Sequence, residues 1–375
     1  MIYADFAATT PLDPDVWEVM KPYALSVFGN ASSTHACGRA AASAVEEARQ
    51  TVASLLRVEK REVFFTSGGT ESDNWAIRGV MKRHGGRLAV SAVEHHAVLN
   101  VARALEREGT DVCYLPVDGC GRLDPDETET VLQKGVTLLS LMAANNEVGT
   151  IEPIEQAAEL AHAHGALFFT DAVQAACLPA LADCKFDLLS LSAHKFFGPK
   201  GVGALIIREG TGIENLTFGG SQEGDRRPGT LNTAGIVGMA AAFEKHFKER
   251  IARENVTRER ADVIRRAVCA LPGAQLLGDE NNRLPGLLAF RFEGLQAESL
   301  AVLLDMAGVA VSAGAACSAG APTPSHVMRA MGMDENALRI SVCHLTTQEE
   351  AETIARTVTE VVRRSRKMTD VPRDK

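Results

Sequence analysis

The 375-residue chain lacks the marks of several protein classes. It has no basic excess: 39 Lys and Arg stand against 48 Asp and Glu, a formal charge of −9 with pI ≈ 5.6. That balance disfavours a nucleic-acid backbone or an anionic membrane as the main partner. No apolar run approaches the roughly 18 residues needed to span a bilayer. The start, MIYADFAATTPLDPD, carries an aspartate where a secretory signal needs a basic and then an apolar stretch. The expected location is the cytoplasm. Eight cysteines (Cys37, Cys113, Cys120, Cys177, Cys184, Cys269, Cys317 and Cys343) are scattered without a CxxC pair. A zinc ribbon and a disulfide scaffold are therefore both disfavoured, and most of the thiols are expected to be buried and reduced. The chain also lacks GxGxxG and GxxxxGK[ST], so dinucleotide and nucleoside-triphosphate readings have no fingerprint. There is no internal repeat and no low-complexity tract.

What is present suits an ordered chain larger than one core usually organises, at 46% hydrophobic and 23% charged residues. Asp13 and Pro14 predict an N-cap and first turn for a helix over roughly 14–28. In the run 39–57, Val45, Ala48, Val52 and Leu55 recur at helical spacing. From Glu62 onward the runs EVFFTS, RLAVSA, DVCYLP, VTLLSLMAA, ALFFTD, FDLLSLSA and VGALII alternate with helical segments. Runs this apolar suit strands covered on both faces, which predicts an α/β fold: a mostly parallel sheet flanked by helices, over residues 14–250. A charged helix over 251–269 then leads into a changed pattern of GLLAFRF, a helix near 297–306, ALRISVC and a final helix. We read residues 251–375 as a smaller α/β domain, joined by an extended arm of residues 1–13. The tail RRSRKMTDVPRDK is polar and is expected to fray.

Ligands of doubly wound sheets bind beyond the carboxyl ends of the strands, and three such ends are chemically loaded. After EVFFTS, Gly68-Gly69-Thr70 opens a helix, a combination that can cup a phosphate or carboxylate, although an ordinary turn looks the same locally. ALFFTD ends on Asp171, with Gln174 three residues on; the carboxylate suits a cationic partner or a helix N-cap equally well. FDLLSLSAHKFFGPKG places Ser192, His194 and Lys195 at a third strand end, where a partly desolvated lysine can form a Schiff base. Lys200, in the GPKG turn, reads as a solvated lysine and is assigned no chemistry. An anion cup, a strand-end carboxylate and a strand-end lysine together match the needs of pyridoxal 5′-phosphate: a phosphate anchor, a partner for the ring nitrogen and an amine for the aldehyde.

The chain resembles the cysteine desulfurases of the iron–sulfur cluster assembly type (NifS/IscS-like), within the class V aminotransferase group of pyridoxal-phosphate enzymes. The likeness runs through DFAATTPLDP, FGNASSTH, SGGTESDN, EHHAVLN, NNEVGTIEPI, TDAVQA, SAHKFFGPKGVGAL, GTLNTAGIVG, SAGAACSAG and ALRISVCHLTT. It implies the aspartate-aminotransferase-like fold and conversion of L-cysteine to L-alanine. It implies Lys195 as the Schiff-base lysine, with Gly69, Thr70, Ser192 and His194 around the phosphate. Asp171 is implied at the ring nitrogen, Gln174 at the phenolic oxygen, and His95 stacked on the ring and assisting proton transfer. Asn146 and Arg339 are implied to hold the substrate carboxylate. Thr230 is implied to reach the phosphate of a neighbouring subunit, hence a homodimer. Cys317, flanked by Gly314 and Gly320, is implied to take the sulfur as a persulfide and pass it to an acceptor protein such as an iron–sulfur scaffold.

The match has departures. Ser221 and Pro228 stand in FGGSQE and RRPGT, Ala313 and Ala315 replace serines near Cys317, and Cys343 and His344 occupy positions where glycine and arginine are usual. They leave open cysteine against selenocysteine as substrate, and the acceptor. The alternative is a selenocysteine lyase or another pyridoxal-phosphate lyase or aminotransferase of the same fold. A third reading is a catalytically silent subunit that binds an assembly partner. No metal site is expected, because His162 and His164 point apart on a helix and His95-His96 lacks further ligands at zinc spacing.

Overall fold

A computed structural model describes residues 1–314 and 324–369. The chain opens with strand β1 (Ile2–Tyr3) and helix α1 (Pro14–Leu25). Asp13 caps α1 by accepting the Asp15 N–H at 2.9 Å, and Pro14 occupies its first turn. The helix stops at Leu25, short of the expected 28, because Ser26 and Val27 both donate to the Pro22 carbonyl in a closing turn. Helix α2 (Ala36–Leu56) begins earlier than expected, since His35 Nδ1 accepts the Gly38 N–H and caps it.

Strands and helices then alternate: β2 (Val63–Thr66), α3 (Gly69–His84), β3 (Arg87–Ser91), α4 (His96–Arg107), β4 (Asp111–Leu115), α5 (Pro125–Leu132), β5 (Leu138–Ser140), α6 (Ile154–Ala163), β6 (Leu167–Asp171), α7 (Ala180–Asp183), β7 (Leu188–Ser192) and β8 (Gly203–Ile207). They form a seven-stranded sheet in the order β2-β8-β7-β6-β5-β3-β4. The pairs β3–β4, β3–β5, β5–β6 and β6–β7 are parallel, whereas β8 runs antiparallel to both its neighbours. Consequently β2, β3, β5, β6 and β7 all end on one edge of the sheet. Strand β7 is buried along its whole length and β6 almost so, because helices cover both faces; this is why they read as apolar runs without alternation.

Helices α8 (Thr233–Lys248) and α9 (Arg250–Cys269) lead to β9 (Ala274–Leu277), β10 (Leu287–Phe292), α10 (Ala297–Met306), β11 (Val309–Ala310), β12 (Ser312–Ala313), α11 (His326–Ala330), β13 (Leu338–Ser341) and α12 (Gln348–Thr369). A four-stranded antiparallel sheet has the order β12-β13-β10-β9, and β1 pairs in parallel with β11. The N-terminal arm crosses between the two sheets: Asp5 bridges to Ser341, while Thr10 and Asp13 donate to the carbonyls of His194 and Phe197.

Two expectations are corrected. Within the tail expected to fray, α12 continues to Thr369, following the buried Ile354, Val358 and Val362 on the core that α9 also covers, and residues 370–375 lie outside the described residues. Nor are most cysteines buried, since Cys37, Cys120 and Cys269 are exposed and Cys113 is half-buried, leaving Cys177, Cys184 and Cys343 inside. Short apolar stretches of a strand or helix do not by themselves decide the side to which a small thiol turns.

Candidate active site

The carboxyl edge of the large sheet holds a cavity of about 280 Å³. Gly69, Thr70, His95, Asn146, Asp171, Gln174, Ser192, His194, Lys195 and Arg339 all line it. Its parts come from different strand ends and can be taken in turn.

At one end, α3 starts directly after Gly68, whose φ is 150°, and no side chain caps it. Its first amides therefore have no partner inside the helix, and they carry the positive end of the helix dipole. A Cβ on Gly69 would lie 2.6 Å from Val173 Cγ2, so only glycine allows this approach. His194, whose Nδ1 lies 3.1 Å from Thr9 Oγ1, is pushed down to about 4 by burial and by the charges of Lys195 and Lys200, and is neutral at pH 7. Lys200 shares a groove with Gly68, Gly69, Thr70, Ser192 and His194. The lysine that its GPKG context set aside therefore stands beside the cup.

Lys195 follows β7 in a single tight turn, and its Nζ donates to the carbonyls of Ala7 at 2.6 Å and Ala8 at 3.0 Å. The N-terminal arm thus sits directly against the amine. Asp171, at the end of β6, is only 5% exposed and accepts the Val173 N–H at 2.9 Å, so one carboxylate both caps a turn and faces the cavity. Burial raises its pKa, while the charges of His95 and Lys195 and the Val173 hydrogen bond oppose the rise. His95 caps α4 through Nδ1, which accepts the Ala97 N–H at 3.1 Å. Burial holds its pKa below the usual histidine range, and with Nδ1 accepting, the neutral ring carries its hydrogen on Nε2. The ligand atoms of Asp73, His95 and Asp171 lie within 4.8 Å of one another. That spacing would accept a cation of either kind, a metal ion or a protonated ring nitrogen.

At the other end Arg339, on β13, is 4% exposed. Its Nη1 donates to the Asn146 carbonyl at 2.9 Å and its Nη2 to Asp5 Oδ1 at 2.8 Å, while Nε has no partner among the described residues. The guanidinium is therefore held by two partners, with a donor on Nε left over. Gln174 also lines the cavity with its buried Oε1 unpartnered among the described residues.

Of the two remaining predicted residues, one is not brought into this cavity and the other is not among the described residues. Thr230 is exposed, in the segment between β8 and α8, and does not line it. That segment is tied down by Arg49, which pairs with Glu223 Oε1 at 2.6 Å, and by Arg227, which donates to Glu71 at 2.8 Å. Cys317 lies outside the described residues; the flanking described residues are Gly314 and, beyond Pro324 and Ser325, His326, which lines the cavity. Sequence reasoning missed Asp5, Asp73 and His326. Asp73 sits inside a helical run whose polar look gives no sign of burial.

The Aminotransferase class-V family matches residues 2–354. The chain belongs to that family. This class-V chain is 45% identical over 359 residues to "Cysteine desulfurase IscS" of Dictyoglomus turgidum, covering 93% of the chain and 91% of the relative. It is 44% identical over 371 residues to the "Cysteine desulfurase" of Cereibacter sphaeroides, covering 96% and 95%. Among solved structures it superposes on a "NifS-like protein" with a TM-score of 0.90 at 34% identity, over 96% of this chain and 99% of the other. A second, titled "SspA in complex with cysteine", gives a TM-score of 0.80 at 33% identity, over 91% and 99%. The α/β architecture of this class-V chain is thus that of the NifS-like proteins.

Proposed function

We propose that this class-V chain is a pyridoxal-phosphate-dependent cysteine desulfurase. It converts L-cysteine to L-alanine, takes the sulfur onto Cys317 as a persulfide and passes it to an acceptor protein such as an iron–sulfur scaffold. The observation that carries the reading is the meeting, in one cavity, of the uncapped α3 N-terminus, the buried Asp171 and the amine of Lys195. The names of the similar proteins favour cysteine over the selenocysteine-lyase alternative.

The donor set suits the cofactor. The α3 amides, Gly69, Thr70, Ser192 and neutral His194 would hold its phosphate, Asp171 its protonated ring nitrogen, Gln174 its phenolic oxygen and Lys195 its aldehyde carbon. When bound, pyridoxal 5′-phosphate supplies an electron sink for the pair left as a proton leaves the substrate Cα. Lys195 Nζ is the amine in the cavity able to take that proton, and the Nε2–H of neutral His95 can donate a hydrogen bond there. Arg339 and Asn146 orient the substrate by its carboxylate, for which a guanidinium is well shaped. The Cys317 thiolate attacks the substrate sulfur; the new S–S bond forms as Cβ–S breaks, and the electron pair remains on carbon, to be protonated to alanine.

We further propose that the chain works in the cytoplasm as a homodimer, with Thr230 of one subunit reaching the phosphate of the other. Residues 14–250 would act as the large domain, and 1–13 with 251–375 as the small one. Alanine release and mass spectrometry after incubation with cysteine test the reaction. A persulfide on Cys317 is expected, and Cys317→Ala should stop turnover; undiminished cysteine turnover by that variant would overturn the persulfide step. Lys195→Ala should lose both the visible cofactor absorbance and activity.

A further inference from the structure

Beside Asp171 lies a second acid that the chemistry above does not use. Asp73, in the second turn of α3, is 1% exposed, lines the cavity, and has Oδ1 without a hydrogen-bond partner among the described residues. No ion pair involves it among those residues. The groups acting on it come from every side: Asp171 from β6, Ser190 from β7 and Glu94 from the loop after β3, with His95 within the same 4.8 Å set. Two carboxylates so close in a buried site do not both ionise, and one keeps a proton.

The surroundings decide which one. Asp171 receives the Val173 N–H and has the charge of Lys195 to offset its own. Asp73 has neither; burial and the charges of Asp171 and Glu94 push it well above the carboxylate range, and only the Ser190 hydroxyl, beside both acids but without a hydrogen bond of good geometry, draws it back. Glu94 is also buried and raised, but it does not line the cavity.

We infer that Asp73 is a positioning residue for Asp171: it holds a proton, so that Asp171 is the single anion facing the cofactor's ring nitrogen, and its neutral carboxyl offers that pair a hydrogen-bond donor. The inference rests on the proposed pyridoxal-phosphate reading of the cavity and names the residue that sets the charge of its acid. A like-sized neutral side chain then substitutes for it, whereas removal of the group does not.

Difference infrared spectroscopy of the wild-type holoenzyme against Asp73→Asn at neutral pH reads the proton directly. The expected difference is loss of a protonated-carboxyl C=O band; loss of an ionised-carboxylate band instead would overturn the inference. Titration of the visible cofactor absorbance gives a second readout. Asp73→Asn should leave its midpoint in place, whereas removal of an ionised Asp73 would lower it by about one pH unit, because a charge favouring the protonated form would be gone. Asp73→Ala, which deletes the donor, should weaken pyridoxal-phosphate binding about tenfold, with Asp73→Asn near wild type. Equal losses in both variants would also overturn it. A chain that binds the cofactor but turns over no cysteine would instead overturn the desulfurase reading, leaving the infrared result intact.

Discussion

Arg339 shows how single side chains are made specific here. Its Nη2 is 2.8 Å from Asp5 and its Nη1 donates to a backbone carbonyl, so little side-chain freedom remains to be lost when substrate binds. Arg339→Lys should keep the charge but lose the fork, raising KM for cysteine about tenfold, with a smaller effect on kcat, in steady-state alanine-release assays. His95 and Asp171 also have double roles, each serving as a local cap and as a cavity group. That is why either reading of Asp171 was open from its neighbours in sequence: it accepts the Val173 N–H as a local cap, and a cationic partner belongs to the proposed function. Lys195, Asp171 and Gly69 were legible because each ends a strand or opens a helix, which is visible locally. Asp73 was not, because a charged residue within ESDNWAIRG looks solvated until α3 is laid against β6 and β7.

Among the elements, the start of α3 is the most constrained. An alanine at position 69 would drive its Cβ to 2.6 Å from Val173, and α3 would have to retreat from the strand end. Gly69→Ala is therefore expected to fold but to bind pyridoxal phosphate at least about tenfold more weakly, measured by fluorescence titration of the apo-chain. The segment carrying Thr230 depends on another element, since Arg49 of α2 donates to both oxygens of Glu223, while Glu223 also accepts the Phe65 N–H of β2. Arg49→Ala would leave that buried carboxylate without its cation, at a cost of about 3 kcal/mol in chemical denaturation. Seven strands of the large sheet were readable as apolar runs. The antiparallel direction of β8 was not, because an apolar run carries no sign of its orientation. Strands β11 and β12 escaped notice because two residues are too few for a pattern, and β9 because its four residues are only partly buried and do not read as an apolar run.

For the whole molecule, buried acids couple stability to pH. Burial pushes Glu152 up to about 8; it accepts the Leu123 N–H at 3.0 Å, but its Oε1 has no partner among the described residues. Unfolded, it would lose its proton near 4.5, so between that value and about 8 the folded chain binds more protons, and unfolding free energy falls as pH rises. Glu152→Gln should flatten that decline and raise Tm at pH 8, with little change at pH 4, by differential scanning calorimetry. Sedimentation should give twice the 40.0 kDa chain mass if the proposed homodimer is right. The sequence by itself determined the α/β class, the seven apolar strands and the order of strand-end glycines, acid and lysine, because strand burial and strand-end chemistry are written in neighbouring residues. Only the tertiary structure decided that the arm's Ala7 and Ala8 carbonyls meet Lys195, that Asp5 braces Arg339 and that Asp73 shares a buried site with Asp171. Those contacts join residues far apart in the chain, and the charge state of an acid depends on the dielectric and the neighbours that folding places around it.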